Sequence, residues 1–260
     1  MPFATVNKVR LHYLDEGAGE PLVILHGLGS SSEDWREPCA RFTGRYRVVV
    51  PDLRGFGLSD RPPGPYSVAQ FAGDVRALLA QLGIDRCHLL GFSMGGAVAF
   101  QLALDDPSTV RSLLIVNSLP SFEADTWRKR FMVASRVAMA RLVSMERLVR
   151  ILATRMLPEP HQAELREVLI ARHRSNDKAS YLAAIRALVG WTVRPRLGEL
   201  TLPALIVASD DDYTDVEEKR AAAAAMPNAR LAVIANSRHV PYADQPEAFS
   251  RVVLDFLAER

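Results

Sequence analysis

Cysteine, lysine, aromatic side chains and long apolar runs are all scarce in this chain. Its 260 residues include two cysteines, Cys39 and Cys87, whose wide separation matches neither a disulfide framework nor a zinc-binding pair, so a reduced intracellular setting is expected. No stretch approaches the ~20 apolar residues of a membrane span, and the opening residues, MPFATVNK, lack the apolar core of a signal peptide. A cytoplasmic location with no membrane partner is the expectation. Net charge is small as well: 32 basic side chains against 30 acidic ones leave +2, unlike the basic domain of a nucleic-acid binder. Aromatic residues make up 7% of the chain, yet 48% is hydrophobic, enough to bury a large core without covalent stapling.

The apolar residues are organised in two periods. Short runs rich in Val, Ile and Leu alternate with longer stretches of helical spacing, which predicts an α/β fold with a mostly parallel sheet. Phe3 to Val6 and Val9 to Leu14 read as an opening hairpin turning at Asn7 and Lys8. Six further strands are predicted at 21–27, 46–52, 87–93, 112–118, 203–209 and 230–236, apolar on both faces as a doubly covered strand must be. Val68, Phe71, Ala72, Val75, Leu78, Leu79 and Leu82 form a helical stripe, and helices are also expected over 97–104 and 249–257. Between 119 and 200 the strand pattern stops and amphipathic helical spacing takes over, which predicts a helical cap inserted into a core made of 1–118 and 201–260. That insertion carries fifteen Lys and Arg against eight Asp and Glu, a local excess of +7 in which arginine dominates.

Gly91-Phe92-Ser93-Met94-Gly95-Gly96 falls directly after a predicted strand and directly before a predicted helix. A turn this tight leaves no room for side chains at 91 or 95 and holds the Ser93 hydroxyl clear of the backbone above a helix amino terminus, where negative charge is favoured. Serine is a weak nucleophile by itself and needs a base, which a carboxylate must orient. Of the six histidines, His12, His88, His161 and His173 read as structural, and His26 as a packing residue of the turn after the third strand. His239 lies in the loop after the last strand, at the same sheet edge as Ser93. For the acid, Asp210, Asp211 and Asp212 end the preceding strand, and spacing alone does not choose among them.

His26-Gly27-Leu28-Gly29, Pro51-Asp52-Leu53-Arg54-Gly55-Phe56-Gly57-Leu58-Ser59-Asp60, the Ser93 turn, Asp212 and His239-Val240-Pro241-Tyr242 occur in the order in which α/β-hydrolases carry them, and nearly the whole chain resembles that superfamily. The resemblance implies an eight-stranded, mostly parallel sheet flanked by helices, a cap after strand six, and a Ser93-Asp212-His239 triad, with Asp211 as the fallback acid. It also implies an oxyanion hole made by the backbone amides of Leu28 and Met94, and a Pro51–Asp60 stretch that shapes a loop and does no chemistry. The chain is similar to the branch holding enol-lactonases, acyl-homoserine lactonases and small carboxylesterases, so hydrolysis of a small-molecule ester or lactone is expected, with no metal or organic cofactor. It departs from that branch at Ser209, Val216 and Arg238. Phe92, Trp127, Phe131, Met132, Met139, Met145, Met156, Trp191 and Val240 are candidates for an acyl pocket. The basic insertion suits an anionic substrate or an acidic acyl carrier protein. Carbon-carbon hydrolase or perhydrolase chemistry on the same triad, and a slow-turnover ligand receptor, are the competing expectations.

Overall fold

The structure, a computed structural model, describes residues 2–260, with the side chains of Arg128, Lys129 and Met132 outside that description. Eight strands form one sheet: β1 (Phe3–Val6), β2 (Val9–Glu16), β3 (Glu20–Leu25), β4 (Tyr46–Pro51), β5 (Cys87–Phe92), β6 (Val110–Val116), β7 (Ala204–Ser209) and β8 (Ala229–Ile234). Their spatial order is β1-β2-β4-β3-β5-β6-β7-β8. The pairings of β2 with β1 and β4 are antiparallel, and all others are parallel. Ten α-helices accompany them among the described residues: α1 (Arg36–Cys39), α2 (Val68–Gln81), α3 (Met94–Asp105), α4 (Trp127–Leu142), α5 (Met145–Met156), α6 (Ala163–His173), α7 (Lys178–Leu188), α8 (Val216–Ala224), α9 (Pro241–Asp244) and α10 (Pro246–Ala258).

Parallel strands bury both faces, and the sequence obeys that demand: every residue of β5 and β7 is buried. One face of the sheet packs on α2, α3 and α8 through residues such as Phe71, Val98, Phe100 and Ala222. The other packs on α1 and α10 around Trp35, Phe42, Phe249 and Phe256. Helix starts follow local chemistry. Ser67 caps α2 by accepting from the Gln70 amide, and Asp177 caps α7 by accepting from the Ser180 amide.

The parallel strands point their carboxyl ends the same way, and the strand order reverses at β3, which has β4 on one side and β5 on the other. In open α/β sheets that reversal opens a crevice for ligands. Helices α4 to α7 fill the chain between β6 and β7, where helical spacing replaced the strand pattern in the sequence.

Candidate active site

Ser93 sits between β5 and α3 with φ 52° and ψ −116°, a conformation that costs an L-residue on the order of 1–3 kcal/mol. Neighbouring elements enforce it. A Cβ at Gly95 would collide with the backbone carbonyl of Leu25, and one at Gly91 would lie 2.7 Å from the Ala99 side chain. The Ser93 amide donates to the Val116 carbonyl at 2.9 Å, which fixes the turn to β6.

The Ser93 hydroxyl lies 3.1 Å from His239 Nε2, and His239 Nδ1 lies 2.8 Å from Asp212 Oδ1. Three stretches far apart in sequence thus meet at one sheet edge. Asp211 faces outward instead and pairs with Arg238 at 2.7 Å, while Asp210 accepts from the Asn236 and Ser237 amides at 2.9 and 3.0 Å and shapes the His239 loop. Arg238, beside the histidine in sequence, is therefore a rim residue.

The electrostatics assign the protons. Burial pushes the Asp212 carboxyl upward, but the hydrogen bond and charge of His239 and the ammonium of Lys219 outweigh it and hold it at about 2. An ionised Asp212 only accepts, so Nδ1 carries the proton and Nε2 presents a lone pair. Burial, reinforced by Lys219 and Arg136 and opposed by Asp212, keeps the His239 imidazole below its ordinary 6.5. At neutral pH it is a free base.

No pattern in the sequence points to the groups behind Asp212. Lys219, fully buried on α8, reaches Asp212 Oδ2 at 2.7 Å and Asn117 Oδ1 at 2.9 Å. Thr214 also donates to Asp212 Oδ2. Asn117, at φ 43°, accepts from the Ser209 amide at 2.9 Å and donates to the carbonyls of Arg238 and His239, each at 3.1 Å. It ties the ends of β6 and β7 to the histidine loop. The one hint was that Lys219 is among just four lysines in a chain with 28 arginines.

Tyr213 was missed too. Its hydroxyl is 2.8 Å from His239 Nε2, so it and the Ser93 hydroxyl compete for a single lone pair. The ring is open to solvent on its outer side, at 61% exposure for the residue, while the hydroxyl end is enclosed and burial pushes its acidity down from the ordinary phenol.

These groups open onto a cavity of about 450 Å³, walled by Leu28, Ser93, Tyr213, His239 and side chains from α4 to α7. Phe92, Met139, Met156 and Val240, four of the acyl-pocket candidates, line it. Trp127 and Trp191 do not. Trp127 is 73% exposed, and Phe131, on the same outward side of α4, is also exposed. Trp191 packs on Phe122, and its indole donates to Gln101 Oε1 at 2.9 Å, so its polar edge is anchored outside the cavity. Met145 is buried in the core packing. The candidate Met132 side chain lies outside the described residues.

Leu28 lines the cavity together with Ser93, and Met94 is the first residue of α3, where a backbone amide has no partner inside its helix. His26 accepts from the Leu53 amide at 3.0 Å and holds the loop rather than facing the cavity. The Leu28 loop is also tied to the helical segment above it. Asn176 donates to the Gly29 carbonyl at 2.6 Å, and His173 and Arg172 reach the buried Asp34 at 2.5 and 3.3 Å. Burial raises the Asp34 carboxyl, but His173 and Arg172 with Ser30 hold it at about 2.

The chain is similar to known hydrolases over most of its length. A 2-hydroxy-6-oxo-6-phenylhexa-2,4-dienoate hydrolase of Burkholderia cepacia is 29% identical over 98% of this chain and 96% of its own. A 3-oxoadipate enol-lactonase of Acinetobacter baylyi is 28% identical over 96% of this chain and 93% of its own. Among solved structures, the enol-lactonase from Burkholderia xenovorans superposes with a TM-score of 0.90 at 26% identity, covering 99% of this chain and 100% of that one. Residues 20–246 match the family model described as the alpha/beta hydrolase fold, and the chain accordingly belongs to the α/β-hydrolase family.

Proposed function

We propose that the protein hydrolyses a carboxylic ester or lactone through an acyl-enzyme formed on Ser93. The observation that carries this reading is the continuous contact from Ser93 Oγ to His239 Nε2 at 3.1 Å and from Nδ1 to Asp212 at 2.8 Å. Ser93 Oγ attacks the carbonyl carbon while its proton passes to Nε2. The new imidazolium is stabilised by Asp212, which stays ionised throughout. The oxyanion accepts from the Leu28 and Met94 amides, each such donor being worth ~2.7–4 kcal/mol in a transition state. The tetrahedral intermediate collapses with cleavage of the bond to the alcohol oxygen, which takes the proton from Nε2. A water then attacks the acyl carbon, gives a proton to Nε2, and the second collapse returns that proton to Ser93 and frees the acid.

Tyr213 must yield Nε2 before Ser93 can use it, so the reactive conformer is one in which the phenol has turned toward another acceptor or toward bound substrate. Residues 119–200 serve as the cap, and Met139, Met156, Phe92 and Val240 receive the acyl group. The similarity to a 3-oxoadipate enol-lactonase of Acinetobacter baylyi and to the enol-lactonase of Burkholderia xenovorans favours a lactone or short ester over long lipids.

The test is kcat/KM across nitrophenyl esters of increasing length, an enol-lactone, an acyl-homoserine lactone and a dienoate ketone, with Ser93→Ala as the control. Turnover of esters or lactones that vanishes in the folded Ser93→Ala protein supports the reading. Cleavage of the dienoate ketone alone would transfer the triad to carbon-carbon chemistry, and unaltered turnover by Ser93→Ala would remove the mechanism.

A further inference from the structure

The cavity roof carries a cation with no counter-charge. Arg136, on α4, lines the same cavity as Ser93 and His239. Its guanidinium lies against the hydroxyls of Tyr181, from α7, and Tyr213, from the loop after β7. Its Nε is sealed from solvent and has no hydrogen-bond partner. Among the described residues no carboxylate forms an ion pair with it. The carboxylates lining the cavity, Asp211 and Asp212, are already engaged by Arg238 and Lys219, each at 2.7 Å.

A guanidinium partly withdrawn from water is ordinarily matched to an anion, because its donors and full charge are costly to leave unmet. Two phenols solvate it without neutralising it. Arg presents a planar fork that fits a carboxylate through two parallel hydrogen bonds, and each tyrosine hydroxyl can donate a further one to the same anion. The geometry points to a carboxylate-recognition site in which Arg136, with Tyr181 and Tyr213, holds an acid group carried by the substrate. This rests on the hydrolase reading above and narrows it to half-esters, or lactones, of short dicarboxylic acids.

The length follows from Tyr213. Its hydroxyl lies 2.8 Å from His239 Nε2 and close to the guanidinium, so cation and base stand on either side of one hydroxyl, a span of roughly 6–7 Å. That span admits a short methylene chain between the bound carboxylate and the scissile carbonyl. An arriving carboxylate also gives Tyr213 a new acceptor, which frees Nε2 for Ser93. Substrate charge and nucleophile activation are thereby linked through one phenol.

The experiment compares hydrolysis of the monomethyl esters of succinic, glutaric and adipic acids with that of the matching methyl ester-amides, in which a carboxamide replaces the free carboxylate and removes the charge while keeping the shape. The wild-type protein should favour one or more half-esters over their amides by roughly tenfold to a hundredfold in kcat/KM. Arg136→Gln should collapse that ratio toward unity, and Arg136→Lys should restore part of it. Equal rates on ester-acids and ester-amides in the wild type, or a ratio unchanged in Arg136→Gln, overturns the site. A second arm needs no turnover: calorimetric titration of glutarate into Ser93→Ala protein, with and without Arg136→Gln. Arg136-dependent binding in this arm, combined with a wild-type protein that hydrolyses no ester and whose Ser93 resists a fluorophosphonate, would uphold the anion site and sink the hydrolase reading. Ester turnover without any Arg136-dependent glutarate binding would do the reverse.

Discussion

Replacing Lys219 by methionine removes a charge from the far side of the Asp212 carboxylate while keeping a stem that fills the same buried space. Lys219 Nζ is 2.7 Å from one carboxylate oxygen and His239 Nδ1 is 2.8 Å from the other, so cation and imidazole sit at opposite ends of a single group. At a separation of roughly 7 Å and an effective dielectric of about 20, a unit charge there is worth about 2 kcal/mol, or roughly 1.5 pH units. The ammonium disfavours imidazolium, so its loss must raise the histidine pKa. The wild-type imidazole lies below 6.5, and kcat/KM needs its neutral form, so the acid limb of the pH profile should move upward by about 1–2 units in Lys219→Met. Lys219→Arg, which keeps the charge, should leave the limb near its wild-type position. If turnover is too slow, the pH dependence of Ser93 labelling by a fluorophosphonate reports the same titration. Breaking a buried pair costs about 3–5 kcal/mol at most, less here because Asp212 keeps His239 and Thr214, and a melting curve records it. An acid limb that stays put, or moves to lower pH, would refute the reasoning.

Tyr213→Phe removes the competitor for Nε2, so Ser93 should be labelled several-fold faster by a small neutral phosphonate; slower labelling would mean that the phenol assists the nucleophile. Gly95→Ala places a methyl group against the Leu25 carbonyl and should leave little folded protein, measured as soluble yield and melting temperature, and a normally stable variant would show that the β5–α3 turn can relax. Acid should destabilise the fold in two stages. Burial keeps His26, His88 and His239 below 6.5, and their partners hold Asp34 and Asp212 at about 2 against an ordinary 3.8, so all five bind protons less readily when folded. The unfolded chain then takes up more protons, and stability falls as pH drops below 6.5 and again between about 4 and 2, each carboxylate contributing about 2 kcal/mol. Urea unfolding at pH 7, 5 and 3 checks this, and equal midpoints would contradict it.

How far the sequence reads into the fold depends on the kind of signal. Doubly buried strands leave uninterrupted runs such as Leu113 to Val116, and these locate β3 to β7 to within a few residues, whereas β8, read from the sequence as covered on both faces, is an edge strand and only partly buried. The Ser93 turn was legible because sterics there exclude every residue except glycine at two positions. The choice of Asp212 over Asp211 needed family register, since neighbouring aspartates on one loop differ only in which way the chain turns them. The placing of Trp127 and Trp191 failed for a related reason: helical spacing shows that a face is apolar, not whether it meets a cavity, a neighbour or solvent. Lys219, Asn117 and Arg136 left no pattern, because a buried polar network is defined by its partners, and these come from elements about a hundred residues apart.

The contacts from Asn176 to the loop bearing Leu28 and from His173 and Arg172 to Asp34 fasten the α6–α7 end of the helical segment to the core, and Trp191 ties its exit to α3 through Gln101. The outer half, α4 and α5 with Arg136 and Met139, is held to its neighbouring helices by apolar packing, by Lys178 donating to the Arg141 and Val143 carbonyls at 2.6 and 2.8 Å, and by the Arg150–Glu167 pair. Variation in substrate preference can therefore accumulate in that outer half without disturbing the amides beside Ser93. A chimera that exchanges residues 127–156 with a relative should keep its chemistry and change its appetite, whereas one that also exchanges 172–176 would lose the alignment on which turnover depends.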